Sequence, residues 1–390
     1  MPAVPHENLS QTRAYRSDAA HQEISRWNGT SGRRRRSAIG ALEPGGNRET
    51  MTLSIIQPDT IVIGGSAGAV EAMRALARLL PEDLPAAVFV AIHRGHEQPT
   101  YLPDILDAAG PLPAVRAEEG MKIVASRIYV APPDRHLLVG VGHLHVRRGP
   151  RENRCRPAID PLFRSAAVAV TSRVIGVLLS GTLDDGTAGL LAIKRCGGTS
   201  VVQDPRHSSY GGMAESAIRA GAVDHVCLLA QIPALLSRLV TLPASPAPEP
   251  PDDLRMEALI AAQELRMHPN DNRLGTLSPL TCPDCHGTLH EIDDEGFLRF
   301  RCHTGHAFSA ESLRDAQAEA WERALYDALR AQEEQLALLR RMTEDAYFRG
   351  HADSARSFEA RARSYEEGVQ IIRGLLRPNG PGPIDSGVQD

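Results

Sequence analysis

Two groups of residues in this 390-residue chain have the types and spacing to do chemistry. The first lies in three separate segments. Ser66, in Gly64-Gly65-Ser66-Ala67-Gly68, follows the apolar run "TIVIGG", His93 follows "AAVFVAI", and Asp185 follows "VIGVLLSGTLD". A serine that attacks an ester needs a base to take its proton. The imidazole in turn needs an acid to fix its tautomer and stabilise its charged form. Gly64-x-Ser66-x-Gly68 fits a serine on a tight strand-to-helix turn. The backbone N–H groups that follow, from Ala67 on, then lie at a helix N-terminus, where an oxyanion is stabilised.

The second group is "CPDC" and "RCHTGH", which place Cys282 and Cys285 in C-x2-C and Cys302 and His306 in C-x3-H. Four soft ligands in two short knuckles suit tetrahedral zinc, closed by protein on all sides and so structural rather than catalytic. "TLHEIDDEGFLRFR" between them reads as a hairpin, which makes a zinc ribbon. Three ordinary thiols are the plain alternative, and His286, His290 and His303 are substitutes for His306.

Each residue of the first group also has a plainer reading. Ser66 caps a helix or lines a phosphate site, His93 ends a strand without a role, and Asp184 or Asp185 is an N-cap for "GTAGLLAIKRCG". His96 and His207 are rival histidines on neighbouring loops. A dinucleotide site would need G-x-G-x-x-G/A and an acid at the end of the second strand. The frame from Gly64 meets Ser66 where the middle glycine belongs, and the second strand ends in His93. No G-x-x-x-x-G-K is present.

Strands and helices alternate from Thr60 to about Leu242, and strands that are apolar throughout imply a parallel sheet covered on both faces. The expected fold is α/β, a mostly parallel doubly wound, Rossmann-like sheet, followed by the small ribbon and an α-helical hairpin. In such sheets functional groups gather beyond the carboxyl ends of the strands, where Ser66, His93 and Asp185 all fall. The expected organisation is a disordered tail over 1–55, the α/β domain over 56–242 and a linker with a short helix over 243–276. The ribbon over 277–309, a helical hairpin or coiled coil over 310–377 and a disordered tail over 378–390 complete it. "PASPAPEPPDD" opens the linker, so the ribbon is expected to be a separable module. Ala355, Phe358, Ala362, Tyr365, Val369, Ile372 and Leu376 alternate steps of three and four, and so share one helical face.

Composition narrows the function class. The net charge of −5 gives no argument for nucleic acid, and 4% aromatics leave little for stacking platforms. No run of about 18 uncharged apolar residues marks a membrane span. "MPAVPHENLS" lacks the apolar core of a signal peptide, and the six cysteines are too unevenly placed for a disulfide framework. A reducing cytoplasm is the expected location.

The region from about Thr60 to Leu242 resembles the catalytic domain of the chemotaxis protein-glutamate methylesterases, the CheB type. The matching pieces are "IVIGGSAGAVEA", "VAIH", "IYVAPPDRHLLV", "RPAIDPLFRSAA", "GVLLSGTLDDGTAGLLAIKRCGGTSVVQDP" and "GMAESAI", in family order. The resemblance implies a hydrolase that demethylates glutamate methyl esters on chemoreceptor helices, releasing methanol, with glutamine deamidation as a companion activity. It carries the family serine, histidine and aspartate onto Ser66, His93 and Asp185. It implies no catalytic cofactor. The ribbon and helices resemble an appendage found after some family members.

Departures from the family pattern concern substrate shape. Ser66-Ala67-Gly68-Ala69 stands for Ser-Thr-Gly-Gly, Arg94-Gly95 follow His93 in place of Met-Pro, and Gly181-Thr182-Leu183-Asp184-Asp185-Gly186 stands for Gly-Met-Gly-x-Asp-Gly. Ala67 and Thr182 are thereby the candidate oxyanion and substrate-cleft residues. The stretch before Thr60 is too short and polar for the family's usual receiver domain, so a separate receiver acting in trans is a candidate partner. Methylated chemoreceptor helices or similar signalling proteins are the expected substrates, with no nucleic acid and no membrane insertion, and the helical tail is a candidate for self-association. The alternatives are a non-catalytic regulatory or binding module on the same fold, and a nucleotide-binding Rossmann-like protein.

Overall fold

The computed structural model describes residues 57–93, 101–265 and 273–377. The expected tails, the arginine run Arg33–Arg36, and Arg94, Gly95 and His96 lie outside the described residues. The first strands are β1 (Thr60–Gly65), β2 (Ala87–Ile92), β3 (Ala114–Arg116) and β4 (Arg127–Val130). An antiparallel pair, β5 (His136–Val139) and β6 (Leu144–Arg147), precedes β7 (Val174–Leu178), β8 (Thr199–Gln203) and β9 (His225–Cys227). Seven of them form one sheet, ordered β3-β4-β2-β1-β7-β8-β9 and parallel throughout. The short strand β3 lies at the sheet edge and starts directly after Pro113, a position where proline is tolerated.

Alternation along each strand splits the core in two. Ile61 and Ile63 point to one face, with Met73 and Leu76 of α1 (Ala69–Ala77) and Leu106 of α2 (Leu102–Asp107). Val62 points to the other, with Phe163 of α3 (Ile159–Val170), Leu190 of α4 (Thr187–Arg195) and Met213 of α5 (Gly212–Arg219). Ile232 and Leu236 of α6 (Ile232–Leu239) return to the first face, and α7 (Asp252–Ala261) buries Leu254 and Leu259 on the second. Both faces are therefore dry, as unbroken apolar strands require.

The ribbon is an antiparallel sheet of β10 (Thr276–Thr281), β11 (Thr288–Asp294), β12 (Phe297–Cys302) and β13 (Ala307–Ser309), in that order. Glu295 and Gly296 turn β11 into β12 with φ of 54° and 93°, the left-handed pair that a two-residue hairpin needs. The ribbon packs against the α/β domain rather than standing apart from it. The first compact unit runs through Leu313, and a second begins at Arg314. A buried charge network fixes the ribbon to the α/β domain. Arg301 of β12 donates to Glu152 at 3.1 Å and to Glu257 of α7 at 2.6 Å. Arg299 donates twice to Glu257 at 2.9 Å and to Asp294 at 2.6 Å. Arg164 of α3 completes it, with Nη2 3.0 Å from Glu152. Burial works against ionised Glu152 and Glu257, but the arginines outweigh it and hold both carboxyls below their ordinary value.

Removing one partner from such a network leaves uncompensated buried charge. Glu257→Ala is expected to cost about 3–5 kcal/mol, read as a lower denaturation midpoint of the full chain. In the wild type the contribution of Glu257 is present above the ordinary carboxyl pKa of 4.5 and is lost as pH falls through its lower folded value. Wild type and Glu257→Ala should therefore converge in stability in acid, and a gap independent of pH would contradict this.

From Arg314 on, α8 (Ala310–Phe348) and α9 (Ala352–Leu375) pack through Leu336, Leu339 and Ala362, with Phe358 and Tyr365 alongside. Ala355 and Val369 are buried, and Arg340–Glu366 and Arg373–Glu333 pair across the hairpin.

Candidate active site

Chain order reverses between β1 and β7, the two central neighbours, and a crevice opens beyond their carboxyl ends. A cleft of about 430 Å³ lies there, lined by Ser66, Ala67, His93, Asn153, Cys155 and Thr182, among others. Parallel register sets the first placements. The Ser66 N–H donates to Ser180 at 2.9 Å and the His93 N–H to Gly65 at 3.0 Å. Gly68 at φ 75° makes the turn into α1, and a β-carbon there would sit 3.0 Å from Ser180 Oγ. A β-carbon on Gly65 would sit 2.4 Å from that of Ala69, so the helix starts this close only over glycine.

His93 Nε2 lies 2.6 Å from Asp185 Oδ2. Asp185 is buried and fully subscribed. Its Oδ2 also accepts the Ile159 N–H at 2.7 Å, and its Oδ1 accepts the Asp160 N–H at 3.2 Å and Asn153 Nδ2 at 3.0 Å. Ile159 and Asp160 open α3, so a helix N-terminus supports the negative charge. Asp185 thus caps α3, while Asp160 accepts N–H bonds from Gly186 and Gly189 around the start of α4. Asp184 caps nothing with its side chain and accepts from Ser309 Oγ at 2.6 Å. Burial, with added charge from Glu311 and Asp185, raises its pKa to about 6 against the Ser309 bond.

Burial pushes the Asp185 carboxyl up, but His93, the α3 N–H bonds and Asn153 outweigh it and bring its pKa to about 2. Burial likewise pulls the His93 imidazole down, but bonds and charge from Asp185 and Cys155 outweigh it and raise its pKa to about 10. Both directions describe one imidazolium–carboxylate pair. The Ser66 hydroxyl makes no hydrogen bond to His93 in this arrangement, and Cys155 lines the same cleft. Such bonds are often loose before substrate arrives.

Thr182 is exposed at the cleft, and Leu183 beside it has φ 61°. The related family pattern has glycine at that position, so this chain keeps the left-handed turn with a leucine. His207 pairs with Asp204 and does not line the cleft. Asn153 and Cys155 escaped the sequence reading. They sit in "RENRCRP", where Asn153 and Arg154 have φ of 48° and 66°, and no periodicity marks such a loop.

Across the ribbon, the ligand atoms of Cys282, Cys285, Cys302 and His306 all lie within 4.8 Å of one another. Cys285 and Cys302 Sγ are 3.6 Å apart, and His306 Nδ1 is 3.7 Å from Cys282 Sγ and 3.6 Å from Cys302 Sγ. Zinc bonds of about 2.3 Å to sulfur and 2.0 Å to nitrogen give tetrahedron edges of about that length, so the residues fit the metal. His286, His290 and His303 are outside the cluster.

Residues 61–236 match the family model described as CheB methylesterase. A relative in Leptospira interrogans is 37% identical over 182 residues, which cover 46% of this chain and 94% of that protein. The chain belongs to the CheB methylesterase family. A protein-glutamate methylesterase/protein-glutamine glutaminase of Anaeromyxobacter dehalogenans is 38% identical over 181 residues, 46% of this chain and 53% of that one. The chain thus spans about half the length of that curated relative. The crystal structure of the Thermotoga maritima CheB methylesterase catalytic domain is 31% identical, covers 47% of this chain and all of its own, and superposes with a TM-score of 0.46. The CheB match includes Ser66, His93, Asn153, Cys155 and Asp185 and stops before the ribbon. Among the described residues no helix is long and apolar enough to cross a membrane.

Proposed function

We propose that the chain hydrolyses protein glutamate methyl esters. The observation that carries this is the convergence of Ser66, His93 and Asp185 on one cleft at the switch point, with His93 locked to Asp185 at 2.6 Å. Ser66 Oγ attacks the ester carbonyl carbon while His93, held by Asp185, takes the hydroxyl proton. Backbone N–H groups at Ala67 and Thr182 face the oxyanion. The tetrahedral adduct collapses, the carbon–oxygen bond to methanol breaks, and His93 returns the proton to the leaving alkoxide. Water then attacks the acyl-Ser66, with His93 again as base, and frees glutamate. The same steps on glutamine release ammonia. The substrates are methylated helices of chemoreceptor-like proteins, in the cytoplasm, where the free cysteines persist. Cys282, Cys285, Cys302 and His306 hold a structural zinc.

Fluorophosphonate should label wild type at Ser66 and fail on Ser66→Ala, and wild type should release methanol from a peptide bearing γ-methyl glutamate. An unlabelled, inactive wild type would refute the esterase. One observation favours a second reading: a thiol, Cys155, lines the same cleft as His93. In that case Cys155→Ala, not Ser66→Ala, abolishes turnover.

His93 acts as base only when neutral, so kcat/KM should rise with pH above the ordinary imidazole value of 6.5. Cys155 is among the neighbours that raise the imidazole pKa. The acid limb of Cys155→Ala should therefore move to lower pH. A limb unchanged by that substitution would contradict this coupling.

A further inference from the structure

The segment that leaves the ribbon reaches the acid of the candidate triad through one side chain. The Asn153 carboxamide is buried between two sets of partners. Its Nδ2 donates to Asp185 Oδ1 at 3.0 Å and to Asp160 Oδ2 at 2.9 Å. Its Oδ1 accepts the Ser309 N–H at 2.9 Å and the Ser312 hydroxyl at 3.0 Å. Backbone bonds clamp the same residue to β13. The Asn153 N–H donates to Ala307 at 2.8 Å, and the Ala307 N–H donates to Arg151 at 3.2 Å.

These partners fix which end of the amide faces the carboxylates. A backbone N–H is a donor only, and a carboxylate is an acceptor. Were the amide reversed, its NH2 would meet the Ser309 N–H and its oxygen would meet Asp185. Ser309 and Ser312 therefore decide that Asp185 receives a donor. Both lie outside the stretch matched by the CheB family, at the junction of β13 and α8.

We propose that Asn153 is a positioning residue for Asp185, oriented by Ser309 and Ser312, so that the segment following the ribbon is a working part of the esterase site. Asn153 touches no reacting atom. It holds one oxygen of Asp185 so that the other faces His93. The inference rests on the esterase reading above and deepens it.

Asn153→Asp separates this role from mere anchoring. The aspartate suits the left-handed backbone and keeps an acceptor for Ser309 and Ser312, but turns a carboxylate oxygen toward Asp185 and Asp160. In the full chain, kcat for methanol release from a γ-methyl glutamate peptide is expected to fall roughly 10- to 100-fold, the usual cost of losing an orienting partner, with KM near wild type. The far-downfield proton resonance of the His93 ring N–H shared with Asp185 should shift or broaden. Ser312→Ala, at a helical position where alanine is favoured, should change both in the same direction by a smaller factor. It decides the matter if Asn153→Asp does not fold. Wild-type kcat and an unmoved resonance in either variant would overturn the proposal, as would a lost kcat with an unmoved resonance. If the wild type releases no methanol, the esterase reading fails, and the resonance still reports whether Asn153 and Ser312 order the His93–Asp185 pair.

Discussion

Ser66→Ala should lower methanol release by about 10⁶-fold, since removing the nucleophile of a serine triad costs about that much. His93→Ala should cost a comparable factor, because nucleophile and base act as a unit. Asp185→Asn should cost about 10⁴-fold through the wrong imidazole tautomer. The structure adds a second penalty. Both oxygens of Asp185 accept backbone N–H bonds, Oδ1 from Asp160 and Oδ2 from Ile159. Either orientation of an asparagine amide therefore turns an NH2 against a buried N–H, at about 1–3 kcal/mol. Asp185→Asn should accordingly melt lower than wild type, while Ser66→Ala should not. Methanol release with a thermal scan of each variant reads both effects. Equal release by wild type and Ser66→Ala would end the case for a serine nucleophile, whatever the fold.

That Ser66, His93 and Asp185 meet at one cleft was legible in the sequence, because each follows an apolar run and the end of such a run marks the end of a strand. The parallel sheet was legible for the same reason. The positions of Asn153 and Cys155 were not, because contacts from α3, Asp185 and β13 set that loop rather than any local pattern. Asp184 or Asp185 read as a cap for "GTAGLLAIKRCG", yet Asp184 turns to Ser309, far along the chain, and Asp185 to the start of α3. The docking of the ribbon was hidden twice. The proline-rich stretch suggests a free module, and "FLRFR" reads only as one arm of a hairpin. Arg299 and Arg301 are instead buried, and only the fold shows that Glu152 and Glu257 meet them.

That docking makes metal removal an experiment on the whole first unit. Structural zinc supplies about 10–16 kcal/mol of folding free energy in small knuckle peptides, so a stripped ribbon is expected to unfold. Arg301 donates to the Gly305 carbonyl at 2.9 Å, inside the Cys302–His306 knuckle. Collapse of the knuckle would therefore withdraw the guanidinium that faces Glu152 and Glu257. It would also withdraw Ala307 and Ser309 from Asn153. A chelator with the cysteines kept reduced should lower the melting temperature of the full chain and reduce methanol release together, and added zinc should restore both. Cys282→Ser should behave like the stripped protein. A protein purified with reduced cysteines and no bound metal would refute the ligand set. A stripped protein with unchanged melting and full esterase activity would show instead that the ribbon, though docked, leaves the α/β domain independent of its metal.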